Sequence, residues 1–161
     1  MKKIKLTQGK FAFVDDEDYQ ELSRHRWCSQ VGQSTFYAVR RFWLKYEKKY
    51  EGELMHRRIL GLKHADGKKV DHINGNGLDN RKQNLRICSQ AENLCNSKVR
   101  RDNTSGYKGV SWHRNRRKWQ AHIGVDGKLV YLGIFPDSRQ AAAAYNRAAL
   151  AYHGQFARLN S

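Results

Sequence analysis

Acidic residues are scarce in this chain, cysteines are few, and long apolar runs are missing. Each shortage excludes something. Fifteen Asp+Glu against 31 Lys+Arg leave a formal net charge of +16 and a pI near 10.0. An excess of that size, spread over the whole chain, is more than a solubilising surface needs and points to a polyanionic partner. Residues 1–97 carry 19 basic and 12 acidic residues, and 98–161 carry 12 and 3, so the shorter piece is the more positive. No apolar stretch is long enough to span a bilayer. The opening Met1-Lys2-Lys3-Ile4-Lys5-Leu6-Thr7 has cations but no apolar h-region, so it is not read as a signal peptide, and no membrane partner is expected. Cys28, Cys88 and Cys95 are odd in number and form no C-x-x-C pair. A disulfide framework and a cysteine-built structural zinc site are therefore not expected. Each cysteine reads as a small buried apolar residue in a reducing cytoplasm.

With 161 residues the chain makes one ordinary domain or two small ones, and 39% hydrophobic residues with a mean hydropathy of -0.87 allow only modest cores. Three zones follow, adding up to an α+β chain. Residues 1 to about 54 read as a β-rich lead-in, with strands at 11–14 and 36–39. The acidic run Asp15-Asp16-Glu17-Asp18 reads as a helix N-terminus rather than a metal site, because acids favour the positive end of the helix dipole and Tyr19 and Leu22 follow at helical spacing. Arg40-Arg41-Phe42-Trp43-Leu44-Lys45-Tyr46 interleaves aromatics with cations. It suits stacking on bases or a phosphate track, and equally a half-exposed strand or amphipathic helix.

The second zone, about 55–97, opens with a short helix at 55–62. Strands at 69–73 and 84–88 follow, joined by a loop rich in Gly and Asn. Ser89-Gln90-Ala91-Glu92 is a capping box that should start a helix. Within this zone lies Val70-Asp71-His72-Ile73-Asn74-Gly75-Asn76-Gly77, then Asn84-Leu85-Arg86 and Asn93. An acid that can hold a metal, beside a base that can activate water, is the minimal equipment for hydrolysing a phosphodiester. Adjacent strand residues point to opposite faces, so Asp71 and His72 can address a metal and a substrate separately. Asn93, near the start of the helix, can lean back toward the strands. Oxygens of Asp71 and Asn93 would suit magnesium, which keeps several waters, and His72 titrates near neutrality. The blander reading is an Asp-His pair making surface hydrogen bonds. In the same vein Asn74, Asn76 and Asn80 are turn residues tolerating left-handed conformations, and Asn84 merely pins the loop.

The spacing of Asp71-His72, Asn84 and Asn93, within VDHINGNGLDNRKQNLR, closely resembles the HNH homing-type endonucleases with a ββα-metal site. Leu54-Met55-His56-Arg57 resembles the His-Arg helix that precedes that motif. The resemblance implies Asp71 and Asn93 as metal ligands, His72 as general base and Asn84 as the asparagine that orients the site, all four being catalytic residues. Asn93 stands where the family name expects His, so this looks like an HNN variant. That change favours magnesium, with manganese possible, over a His-rich zinc site. His56 and Arg57 are expected to be structural or orienting.

Residues 98–105 are polar, basic and aperiodic, as in a linker that can also touch phosphates. The third zone has strand-like runs at 107–113, 119–125 and 128–135, with Asp126-Gly127 as a two-residue hairpin signal. Asp137 or Ser138 caps a following helix, on which Ala141, Tyr145, Ala148 and Tyr152 recur at helical spacing, and Gly154 ends it. One face of such a sheet is covered by the helix and the other is free. This zone resembles the plant ethylene-response-factor (AP-two) DNA-binding domain over almost all of 104–160. The carriers are Ser105-Gly106-Tyr107-Lys108-Gly109-Val110, Trp119-Gln120-Ala121, Tyr131-Leu132-Gly133-Ile134-Phe135 and Ala142-Ala143-Ala144-Tyr145-Asn146-Arg147-Ala148-Ala149. The resemblance implies a sheet laid into the major groove, showing Lys108, Ser111, His113, Lys118, Gln120, His122 and Tyr131. Ser111, His113, Gly124 and Leu129 stand where arginine is typical of the family, and Tyr131 where tryptophan is, so the plant target sequence does not carry over. Arg114, Arg116 and Arg117 in the hairpin loop suit phosphate contacts. Trp119, Phe135 and Tyr145 read as core.

The expectation is a site-specific, metal-dependent endonuclease acting on double-stranded DNA, as a monomer or weak dimer, in the cytoplasm of a phage-infected or mobile-element-bearing host cell. Its expected division is a nuclease domain at 1–97 (motif 55–97), a linker at 98–105 and a DNA reader at 106–161. The rival readings are a non-catalytic DNA-binding regulator on a nuclease-like fold and a general RNA-binding protein.

Overall fold

β1 (Lys2–Lys5) pairs antiparallel with β2 (Phe11–Val14), although three of its four residues are lysines. The pairing buries Ile4 with Ala12 and Val14, among Leu22, Trp27, Ala38 and Met55, while the lysines stay in water. The computed structural model describes residues 1–63 and 66–161. It groups them into two compact units, Met1–Ser89 and Gln90–Ser161.

In the first unit, α1 (Asp16–Leu22) starts on the acidic run as expected, with Asp16, Glu17 and Asp18 in its first turn. β3 (Cys28–Val31), β4 (Phe36–Leu44) and β5 (Lys49–Leu54) form an antiparallel sheet in that order. The Arg40–Leu44 stretch is thus the second half of one long strand. Its exposed Trp43 stacks edge-on against Tyr50 across the ladder at 4.9 Å. α2 (Met55–Ile59) buries Met55 and His56 and is followed by Gly61 at φ 64. β6 (Lys69–His72) and β7 (Leu85–Cys88) close the unit as a two-stranded antiparallel ribbon, with Asp71 opposite Arg86 and His72 opposite Leu85.

The second unit begins with α3 (Gln90–Cys95), directly after Ser89. β8 (Val110–His113), β9 (Lys118–Val125) and β10 (Lys128–Phe135) follow, paired antiparallel in the order β10-β9-β8. β8 starts three residues later than the apolar pattern suggests, because Gly106 and Gly109 sit at φ 74 and 73, outside strand geometry. A Cβ on Gly109 would stand 2.2 Å from the Tyr145 ring, so the close approach of turn to helix requires glycine. Asp126 and Gly127 both have positive φ, 49 and 75, as a type I′ hairpin needs. Asp137 caps α4 (Ser138–His153) by accepting from the Gln140 amide at 2.8 Å. The helix packs Ala141, Ala142, Tyr145 and Ala149 against Val110, Ala121 and Ile123 of the sheet.

The cysteines are free thiols. Cys88 is buried as expected and Cys95 is half-buried, but Cys28 is exposed because it lies on the edge strand β3. Among the described residues no helix is long and apolar enough to cross a membrane.

Candidate active site and nucleic-acid interface

The Gly/Asn-rich loop between β6 and β7 is held by the lead-in. Phe13 of β2 donates its amide to Leu78 O and accepts from the Asn80 amide, both at 2.8 Å, and Leu78 packs on the first unit's core. Gly77 N–H donates to Thr35 Oγ1 at 3.0 Å. Asp15, which makes no side-chain cap for α1, instead accepts from the Lys82 amide at 2.8 Å. Inside the loop Asn84 is 6% exposed. It accepts from the Asn74 amide at 3.0 Å and donates to Asn74 Oδ1 at 3.1 Å and to Asp79 O at 2.7 Å. Asn74, Asn76 and Asn80 keep negative φ. Asn74 and Asn76 turn the chain by accepting from the amides of Asn76 and Leu78, two residues on.

Asp71 and His72 are both buried at the end of β6. Arg86, directly across the ladder, donates from Nε to Asp71 Oδ2 at 2.8 Å and forms an ion pair with it. His72 Nε2 lies 3.3 Å from Asn80 Oδ1, an oxygen that only accepts, so Nε2 carries the proton and Nδ1 the lone pair. The His72 ring meets His56 edge-on at 5.0 Å, and Tyr37 of β4 stands 5.8 and 5.9 Å from the His56 and His72 rings. Burial holds the His72 pKa below the ordinary value, partly offset by the Asn80 bond and by Asp71 and Asp79. Burial, with smaller effects from His72 and Arg57, pushes His56 down to about 3. Both imidazoles are therefore neutral at pH 7. Arg57 donates to the carbonyls of Lys63 and Lys68.

Asn93 stands half-buried on α3, in the second unit. Among the described residues no group of three or more His, Cys, Asp or Glu is gathered to hold a metal ion. The donors expected here, the Asp71 carboxylate and the Asn93 amide oxygen, are hard oxygens. Oxygens of that kind suit a hard divalent cation.

The free face of the β8–β10 sheet follows from its register. Cross-strand partners share a face, and Val110↔Ala121, Trp112↔Trp119 and Val130↔Ile123 carry the helix side. Ser111↔Gln120, His113↔Lys118 and Tyr131↔His122 therefore lie together on the other side, with Gly124↔Leu129 beside them. Gln120 donates to Ser111 at 3.2 Å, and the His122 and Tyr131 rings are 5.2 Å apart. Arg114, Arg116 and Arg117 project from the exposed β8–β9 turn, Arg117 at φ 49. Trp119, Phe135 and Tyr145 pack in the core, as read from the sequence. Lys108 does not reach the sheet face: its ammonium donates to Cys95 O and Ser97 O, and burial brings its pKa down to about 8.

Three contributors escaped the sequence reading. Asn80 sat among other loop asparagines with nothing in its spacing to single it out. Tyr37 lies far away in the lead-in, with no local signal. Arg86 could have been found, since pairing 69–73 with 84–88 sets its charge opposite Asp71.

Two segments of the chain match known protein families. The family model for HNH endonuclease matches residues 54–95, and the model for the AP2 domain matches residues 105–155. The chain therefore carries an HNH endonuclease domain followed by an AP2 domain. It is 38% identical to protein 3.8 of Escherichia phage T7 over 92 residues, which are 57% of this chain and 75% of that protein. An uncharacterized HNH endonuclease of Acanthamoeba polyphaga mimivirus is 28% identical over 95% of this chain and 76% of its own length. APETALA2-like protein 2 of Oryza sativa subsp. indica is 43% identical over 60 residues, so this chain spans only 14% of the plant protein.

Proposed function

We propose that the chain is a homing-type, site-specific endonuclease that cuts double-stranded DNA. In this reading residues 55–97 form the nuclease motif, 98–105 a linker and 106–161 the DNA reader. The observation that supports it most is the state of His72. The ring is buried, tied at Nε2 by Asn80, and held by burial below its ordinary pKa, the state that suits a group taking a proton from an attacking water. Asp71 and Asn93 would hold one divalent cation, magnesium by their oxygen chemistry with manganese as a substitute, and its charge would offset the negative charge developing on the phosphate. Asn84 keeps the loop in shape, Arg57 has a structural role, and His56 and Tyr37 support the His72 ring. Ser111, His113, Lys118, Gln120, His122 and Tyr131 face the duplex, and Arg114, Arg116 and Arg117 grip its phosphates. A single site per chain predicts nicking of one strand, by a monomer or weak dimer in the cytoplasm of the host cell.

The test is conversion of supercoiled plasmids carrying phage or host DNA, with magnesium, with manganese, with EDTA, and with His72→Ala. Open circles that need the metal and vanish with His72→Ala are expected. Linear product would point to paired cuts. Cleavage by His72→Ala at the wild-type rate would overturn the mechanism. Tight, specific binding with no cleavage of any bound duplex would instead make the chain a regulator.

A further inference from the structure

Asn93 stands on a helix that cannot hold itself. α3 has six residues, none of them buried, and an isolated helix of that length is unstable in water. Lys108 supplies an external hold. Its ammonium donates to Cys95 O at 2.6 Å and to Ser97 O at 2.9 Å, at the end of the helix where carbonyls lack intrahelical partners and the dipole is negative. The lysine backbone is itself clamped: its amide donates to Asn160 Oδ1 at 2.6 Å, and Asn160 Nδ2 donates back to Lys108 O at 3.1 Å. Asn160 in turn exchanges two bonds with Asn146 of α4, at 2.9 and 2.8 Å. A continuous run of hydrogen bonds thus leads from the long helix of the DNA reader, through Asn160 and Lys108, to the end of the Asn93 helix. A cavity of about 460 Å³ lies between Ala91, Leu94 and Cys95 on one side and Tyr145, Tyr152 and Phe156 on the other.

We infer that Lys108 is a positioning residue of the nuclease, fixing the helix that bears Asn93 to the DNA-reading module. The inference rests on the proposed function, in which Asn93 is a metal ligand. It also separates Lys108 from the phosphate-gripping cations of the sheet and hairpin. A residue acting through α3 changes the metal requirement of cleavage, whereas one gripping phosphate changes DNA affinity.

The experiment compares full-length wild type, Lys108→Met and Lys108→Arg. Three quantities are read: duplex affinity in EDTA, cleavage over a magnesium titration, and amide hydrogen exchange across 71–97. Lys108→Met should keep its duplex affinity within about twofold, as a change away from the DNA does. Its half-saturating magnesium concentration should rise roughly tenfold, the usual scale for losing support behind a metal ligand. Amides 93–97 should exchange faster while those of β6 and β7 do not change, and Lys108→Arg should recover most of the loss. Wild-type exchange and wild-type magnesium dependence in Lys108→Met would overturn the inference. So would a loss of affinity in EDTA as large as the loss of cleavage, which would make Lys108 a phosphate contact. If the wild type cleaves nothing, the nuclease reading fails by itself. The exchange data then still decide, faster exchange upholding the hold on α3 and unchanged exchange refuting it.

Discussion

His72 and Asn80 meet inside the first unit, imidazole Nε2 to amide Oδ1 at 3.3 Å, with both residues buried. That contact selects the tautomer of the ring. With the proton held on Nε2, Nδ1 keeps its lone pair, which is what a general base must offer. Asn80 is held in turn by its amide bond to Phe13 O, so strand β2 reaches His72 through it. Asn80→Ala should lower the cleavage rate about 10- to 100-fold. It should also cost about 1–3 kcal/mol of stability by leaving a buried ring N–H without its acceptor. Asn80→Asp separates tethering from packing. A carboxylate on Nε2 favours the imidazolium, raises the His72 pKa and moves the acid limb of the pH–rate profile upward. A profile that stays in place would rule out the tether.

Protonation of His56 gives a second handle, on stability. Its folded pKa lies at about 3 against the ordinary 6.5, because burial disfavours the charged ring. In the unfolded chain the ring binds a proton as pH falls through 6.5, and in the folded chain it does not. The depressed group therefore contributes fully above pH 6.5, and its contribution is lost progressively as pH falls toward 3. The slope is about 1.4 kcal/mol per pH unit for one such group. Denaturant unfolding of His56→Leu and wild type, compared between pH 5 and 6.5, should show the variant shallower by about that amount. Equal slopes would mean that His56 is protonated in the folded protein.

Gly77 is the glycine whose replacement should reach the site most directly. Its backbone is not left-handed; the difficulty is room. A Cβ there would stand 2.5 Å from Phe36 O and 2.7 Å from the Tyr37 ring, which itself leans on His72 and His56. Gly77→Ala should cost about 1–3 kcal/mol, the usual scale of overpacking. It should also slow cleavage more than an equally destabilising substitution in the β8–β10 sheet. Matched thermal melts and single-turnover rates check both halves.

These sites also show where sequence reading stops. β2, β9 and β10 were legible because apolar residues alternate or a hairpin dipeptide bounds them. β1 and β5 were not: Lys2-Lys3-Ile4-Lys5 offers one apolar residue, and Lys49-Tyr50-Glu51-Gly52-Glu53 little more, so their partners decide their conformation. β3, an edge strand with Ser29 and Gln30 at its centre, escaped for the same reason. Asp71, His72, Asn84 and Asn93 stood out because their chemistry and spacing coincide within one short stretch. Asn80, Tyr37 and the reach of Lys108 toward α3 depend on how a loop, a strand and a turn travel through space, and no local pattern encodes that. The register of β8–β10, by contrast, was recoverable from alternation, and it put the proposed DNA-facing residues on one side.

That shared face predicts a division of labour that binding experiments can separate. Arg116 is exposed in the β8–β9 turn, where a guanidinium can follow a phosphate but not a base edge held deep in a groove. Gln120 lies at the centre of the sheet face, hydrogen-bonded to Ser111, where an amide can pair with a base edge. Arg116→Ala should therefore weaken binding equally for all sequences and reduce the log–log salt slope by about 0.9, one phosphate contact's worth. Gln120→Ala should leave that slope alone and remove about 1–3 kcal/mol of discrimination between target and non-target duplexes. Trp119→Ala serves as the contrast: it empties the core behind the sheet and should lower the melting temperature before it alters specificity. Equal loss of affinity for every duplex in Gln120→Ala, with a shallower salt slope, would move Gln120 to the phosphates and leave the sheet face without a reader at its centre.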